Sequence, residues 1–314
     1  MVSGDIPREE NRDMKRFVFG KSVQGASHKR AGTECQDSNR NFSFDDGTII
    51  LAVADGHGSK SCPYSKSGSN IAVNVFCHVM GNIRGNYIGE PEKLLTYLNR
   101  EGETKIAQAI DSEWKRRVLK AHTDNKRGMP GIDNKVKQKA EIYKQYGTTL
   151  VGLMITPSFL FAFQLGDGDI SYVDNNGFAL VLQSDKILGT ETHSLSRLDS
   201  WKRAITLVCR RDDSAPLPCL FMLSTDGLSN SYTNEQEFQK TCVDYFEMIK
   251  EHGAEAVDAN LKKWLSETSE MGCGDDITLL MTYFYDPTGE IKKSIPVEEE
   301  ITPTESEVDV SEQG

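Results

Sequence analysis

Six consecutive apolar residues, Ile49 to Ala54, run directly into Asp55-Gly56-His57-Gly58. A run this short, containing Ile and Val, predicts a strand buried on both faces rather than a helix. Its end sets a carboxylate at the mouth of a buried strand, where a charge is costly unless it is paired or coordinates a metal. The flanking glycines let the backbone turn sharply and approach a ligand closely. Two readings fit the stretch alone. One is a plain strand with an Asp-Gly turn; the other is a site for a hard cation, which takes carboxylate and main-chain oxygens.

The same arrangement recurs. Asp167 follows the apolar run Phe161–Leu165 and precedes Gly168; Asp226 follows Leu220–Leu223 and precedes Gly227; Asp275 follows Gly274 and precedes the last apolar run, from Ile277. One such aspartate is ordinary turn chemistry, but four at strand ends beside glycine point to a shared site. The donors are carboxylates, without a Cys/His cluster, which selects Mg²⁺ or Mn²⁺ over Zn²⁺.

The rest of the chain supplies a frame for these ends. The 314 residues, 38% hydrophobic and 26% charged, suit one large soluble domain or two small ones. A net charge of -11 argues against non-specific nucleic-acid binding. Seven of those negative charges lie between Glu298 and Glu312, in a Pro-, Thr-, Ser- and Glu-rich stretch without aromatics that reads as disordered. We therefore expect a flexible arm over 1–15, a folded domain over 16–286 and an acidic tail over 287–314. The seven cysteines are widely spaced, with no C-x-x-C, which fits a reducing compartment. No signal-peptide pattern and no run of 18 apolar residues is present, so the expected location is cytoplasmic, away from membranes.

Arg16–Val23 reads as a strand, residues 25–32 as a Gly-rich basic link, and 41–54 as a hairpin turning at Asp45-Asp46-Gly47. Helical spacing follows from about Ser67, restarts at Pro91 and breaks near Gly102. Between Glu113 and Lys144 ten basic residues meet four acidic ones, a net of +6. That run is either a solvated face or a surface that attracts a phosphorylated partner. From Gly147 strands dominate, with a hairpin turn at Asp174-Asn175-Asn176-Gly177 and an aperiodic excursion over 184–204. Asn234 and Glu237 predict a capping box opening the next helix. Strands and helices come in blocks rather than alternating, which favours an α+β fold.

Six blocks in order carry a resemblance: Gln36-Asp37, Ala54-Asp55-Gly56-His57-Gly58, Gly147-Thr148-Thr149-Leu150, Leu165-Gly166-Asp167-Gly168-Asp169, Ser224-Thr225-Asp226-Gly227 and Asp275-Asp276-Ile277-Thr278. Together they resemble the metal-dependent serine/threonine protein phosphatases of the PP2C (PPM) type, over about Phe17 to Tyr285. The resemblance implies a four-layer αββα sandwich of two antiparallel sheets flanked by helices. It implies hydrolysis of phosphoserine and phosphothreonine in proteins by a metal-activated water, with two Mg²⁺ or Mn²⁺ ions and room for a third. Asp55 would bridge the ions and Gly56 would lend a carbonyl. Asp226 and Asp275 would bind the second ion, and Asp167 with Asp226 the third. Asp37 would hold water in the site, and His57 would be the general acid. A monomer opposing a Ser/Thr kinase is expected.

The chain departs from the animal members in several places. Gln36 stands for a frequent Glu, Asp276 for the usual Asn, and the phosphate-binding arginine has no clear counterpart. His28, Lys29 and Arg30 are the candidate substitutes, against the alternative of an ordinary basic loop. Cys35-Gln36-Asp37 and Glu191–Leu195 look closer to a bacterial subgroup. Two other functions fit the same residues: a binding module that has lost catalysis, and a hydrolase of small phosphoesters. The full set of aspartates argues against the first, and the basic stretch mildly against the second.

Overall fold

The computed structural model describes residues 14–182, 193–211 and 216–287. Residues 1–13 of the expected arm, 288–314 of the acidic tail and 184–192 of the excursion after β7 lie outside them.

Ten strands form two five-stranded antiparallel sheets. The first contains β1 (Lys15–Val23), β10 (Ile277–Tyr285), β9 (Cys219–Ser224), β6 (Asp169–Asp174) and β7 (Gly177–Leu182), in that order. The second runs β2 (Ser38–Ser43), β3 (Ile49–Ala54), β4 (Leu150–Ile155), β5 (Phe159–Leu165) and β8 (Ile205–Arg210). β3, β4, β5 and β9 are buried along their whole length, as their largely apolar sequences require, with Gln164 in β5 and Ser224 in β9 the polar exceptions. Ile49, Leu51 and Val53 meet Leu223 and Leu280 between the sheets, while Ile50, Ala52 and Ala54 face helices on the other side.

The helices form the outer layers. α2 (Ser65–Gly85), α3 (Pro91–Glu101), α4 (Ala107–Asp124) and α5 (Lys135–Lys144) cover the second sheet. α7 (Glu235–His252) and α8 (Ala254–Met271) cover the first. The four-layer sandwich is therefore the observed architecture. The break near Gly102 is a π-helical turn over Gly102–Ile106 that joins α3 to α4. No helix among the described residues is long and apolar enough to cross a membrane.

Two local expectations change. The basic link is a short helix, α1 (Ala26–Ala31), closed by Gly32 at φ 69°. At α7, Asn234 Oδ1 accepts from Glu237 N as expected, but the Glu237 carboxylate accepts from Thr233 N and Oγ1 rather than reaching the cap residue.

Candidate metal centre

Antiparallel pairing brings the predicted aspartates to one end of the sandwich. Asp55 leaves β3 at the end where β4 begins, because Val53 pairs with Val151. Asp167 lies in the tight turn between β5 and β6. Asp226 opens the one-turn helix α6 (Asp226–Ser229) after β9, and Asp275 immediately precedes β10. Asp37 stands before β2, whose first residue, Ser38, pairs with Ala54.

Close backbone approach explains the glycines. A Cβ on Gly227 would lie 2.0 Å from the Asp276 carbonyl oxygen, and one on Gly56 would lie 2.7 Å from the Gln36 carbonyl oxygen. Any side chain at either place would push two acidic turns apart.

The carboxylates feel one another. The Asp55 carboxyl is held well above the usual range, first by burial, then by the charges of Asp37, Asp226, Asp275 and Asp167. Asp37 is pushed up to about 8, mainly by burial and then by Asp276, against the lowering effect of Thr225. Thr225 Oγ1 donates to Asp37 Oδ2 at 2.7 Å, while the buried Oδ1 has no hydrogen-bond partner. Asp226 Oδ2 accepts from Asn230 Nδ2 at 2.9 Å.

This donor set fits a hydrated hard cation. The Asp55 carboxyl is surrounded by carboxylates of its own sign, and Asp37 offers a buried oxygen without a hydrogen-bond partner. Among the described residues no three His, Cys, Asp or Glu side chains stand close enough together to hold a metal ion by themselves. Mg²⁺-type sites need no such trio, since such ions keep several waters and take one or two carboxylates each. Asp37, Asp226, Asp275 and Asp167 are the carboxylates whose charges reach Asp55, and the Gly56 main chain lies beside them, bridged to Thr148.

The cationic candidates separate. His28 is half-buried beside the acidic turns, with Nε2 3.7 Å from Asp275 Oδ1 and Nδ1 2.9 Å from Asp276 Oδ1. Lys29 and Arg30 are exposed on the outer side of α1. Successive helical residues are turned about 100° apart, so one of the three can face the site and its neighbours cannot. His57 is half-buried; its N donates to Gly147 O at 3.0 Å, and its ring packs over Gly147.

Sequence reasoning treated Asp276 only as an extra charge. It is buried, and its two oxygens accept from Gly25 N and Gln36 N, each at 2.6 Å. A carboxylate accepting two main-chain donors ties the start of α1 to the segment that carries Asp37. The departure from the usual Asn is the available signal; beside the His28 ring, both of these donors are main-chain groups and leave no mark in the sequence.

A profile of the protein phosphatase 2C family matches residues 24–266. A comparison with curated protein sequences gives no match. Among solved structures, the chain is similar to the catalytic domain of the serine/threonine phosphatase PstP, determined with two manganese ions, at 12% identity and a TM-score of 0.52, covering 87% of this chain and 100% of that one. It is similar to PppA of Pseudomonas aeruginosa at 13% identity and 0.52, covering 86% and 98%. The serine/threonine phosphatase of S. agalactiae gives 16% and 0.50, covering 86% and 99%. At these identities the structural likeness speaks for the fold.

Proposed function

The chain belongs to the protein phosphatase 2C family, and from that premise we propose that it hydrolyses phosphoserine and phosphothreonine in proteins with divalent cations held at the acidic end. The observation that carries this reading is the convergence of Asp37, Asp55, Asp167, Asp226 and Asp275, where burial first and then the neighbouring charges raise the Asp55 carboxyl well above its usual range. The two manganese ions of the PstP structure support the choice of Mn²⁺ or Mg²⁺; the reading takes two ions, with room for a third at Asp167. When bound, such ions supply an acidified water and charge neutralisation at phosphoryl oxygens.

The chain's own residues do the rest. Asp55, Asp226 and Asp275 would hold the cations, with the Gly56 carbonyl as a further oxygen donor. Asp37, gripped at one oxygen by Thr225, keeps the other for a water. His57, anchored through its main chain to Gly147, hands a proton to the serine or threonine oxygen that leaves. His28 faces the phosphoryl group; Lys29 and Arg30 serve only at longer range.

The domain spans 16–286 and acts as a monomer against the product of a Ser/Thr kinase. All seven cysteines are free, which supports a reducing, cytoplasmic setting. The test is hydrolysis of a phosphothreonine peptide and of p-nitrophenyl phosphate with Mn²⁺, and with EDTA as control. Cation-dependent turnover of both is expected. Absence of turnover in folded protein overturns the reading, and activity on the small ester alone moves it to the small-phosphoester alternative.

A further inference from the structure

After β7 the described chain resumes at His193 and passes at once beneath the acidic end. Ser194 and Leu195 are both buried. Ser194 Oγ accepts from Thr148 N at 3.2 Å and lies 3.3 Å from Thr148 O, and Leu195 N donates to that same carbonyl at 3.0 Å. Both main-chain polar groups of Thr148 are therefore taken by residues 194–195. Thr148 is fully buried, so water does not replace these partners.

Thr148 in turn grips the proposed cation ligand. Its Oγ1 donates to the Asp55 carbonyl at 2.7 Å, and Thr149 N donates to the same oxygen at 2.9 Å. Asp55 N donates to Thr149 Oγ1 at 2.9 Å. Gly56 pairs with Thr148 as an isolated antiparallel bridge beyond the end of the β3–β4 ladder. The main chain that presents the Asp55 carboxylate thus rests on Thr148 and Thr149, and Thr148 rests on Ser194.

The far end of this segment is pinned separately. Lys115 Nζ donates to Leu198 O at 2.7 Å, and Ser200 Oγ donates to the buried Asp111 carboxylate. Residues 194–200 form a strap, fixed to α4 at one end and to the floor beneath Asp55 at the other.

We propose that Ser194 is a positioning residue for the cation site, acting through Thr148 on the main chain of Asp55 and Gly56. The proposal rests on the reading of Asp55 and Gly56 as cation ligands. Hydrogen-bonded supports of metal ligands typically change affinity by about 10–100-fold when removed. The experiment is Mn²⁺ titration calorimetry on the full chain, with thermal melting and p-nitrophenyl phosphate kinetics alongside. Ser194→Ala is expected to weaken Mn²⁺ binding by about tenfold. Its turnover should fall at low Mn²⁺ and recover at saturating Mn²⁺. Ser194→Thr, which keeps the hydroxyl, is expected to restore affinity.

A purely structural role would lower the melting temperature and leave Mn²⁺ affinity alone; that result overturns the proposal. Should Ser194→Ala fail to fold, Thr148→Val carries the test. It deletes the bond to the Asp55 carbonyl while keeping the side-chain shape, and unchanged Mn²⁺ affinity in it also overturns the proposal. Asp55→Asn separates the two levels. Wild-type affinity in Asp55→Asn means that the cation reading fails and takes the strap with it. Loss in Asp55→Asn with none in Ser194→Ala or Thr148→Val means that the strap alone fails.

Discussion

The aspartates of the strand ends and the basic residues between Glu113 and Lys144 are both dense in charge, yet the fold treats them oppositely. In the basic stretch, Arg116 and Arg117 share Glu113 at 2.7 Å each, Lys120 meets Asp124 at 2.5 Å, and Lys115 turns inward to Asp111 at 2.7 Å. These pairs sit at helical spacing, and Arg116 and its neighbour hold the Glu113 carboxyl down to about 2. At the acidic end the like charges are brought together from five separate segments and partly withdrawn from water. Self-neutralised surface charge costs a fold little. Convergent buried charge of one sign costs a great deal and persists where a ligand offsets it. The four lysines of α5, Lys135, Lys137, Lys139 and Lys144, show no acidic partner among the described contacts, and neither do Lys126 and Arg127 just before it.

That contrast can be broken most forcefully by Asp55→Asn. Under the proposed function this carboxylate would hold the cations, and its loss removes several kcal/mol of transition-state stabilisation, so turnover is expected to fall by about 10²–10³-fold in a folded protein. Near-normal turnover would mean that the acidic cluster is not the catalytic centre.

A thermal measurement gives the next largest effect. Asp37 and Asp55 have raised values in the folded chain, so folding favours their protonated forms and opposes their ionisation. Cation-free protein should therefore lose melting temperature as pH rises from the ordinary 3.8 of Asp37 through its folded value of about 8. Mn²⁺ should restore most at the upper end of that window, and Asp37→Asn should flatten the slope. An identical slope in that variant would remove Asp37 as its source.

The smallest effect is expected from the basic side. Changing the four α5 lysines to Gln should leave p-nitrophenyl phosphate turnover unchanged and raise KM for an acidic phosphopeptide by about two- to tenfold, as screened surface charges do. An equal loss on both substrates would show that α5 supports the site itself.

Much of this was legible because the costly features are written in side chains. An apolar run that ends in Asp-Gly reports both a buried strand and a charge at its mouth, and repetition of the pattern marks the turns that the fold gathers at one end of the sandwich. The two-sheet sandwich followed from the ordered blocks rather than from periodicity alone. What escaped was held by main-chain groups. α1 is six residues long, too short for helical spacing to show, and forms because Ala26 N donates to Ser269 Oγ and Ser27 N to Gly274 O. Asp276 joins Gly25 and Gln36 across about 250 residues of chain, through their N–H groups alone. Arg127 looked like one more surface cation, but its guanidinium lies 3.5 Å from the centre of the Tyr64 ring and donates to Tyr146 Oη. Sequence shows the charge and not the ring beneath it.

The pairing of β1 with β10 has a further consequence. Lys15 lies opposite Tyr285, so the two ends of the folded domain leave it side by side. They do so at the far pole from the carboxylates, which cluster where β10 begins at Ile277, a nine-residue strand or about 30 Å away. The domain is thus topologically close to a ring. A short linker could join its ends and the chain could be reopened in the β6–β7 hairpin at Asn175-Asn176 without separating any of the acidic turns, and cargo tethered at either end would hang behind the site and leave its mouth clear.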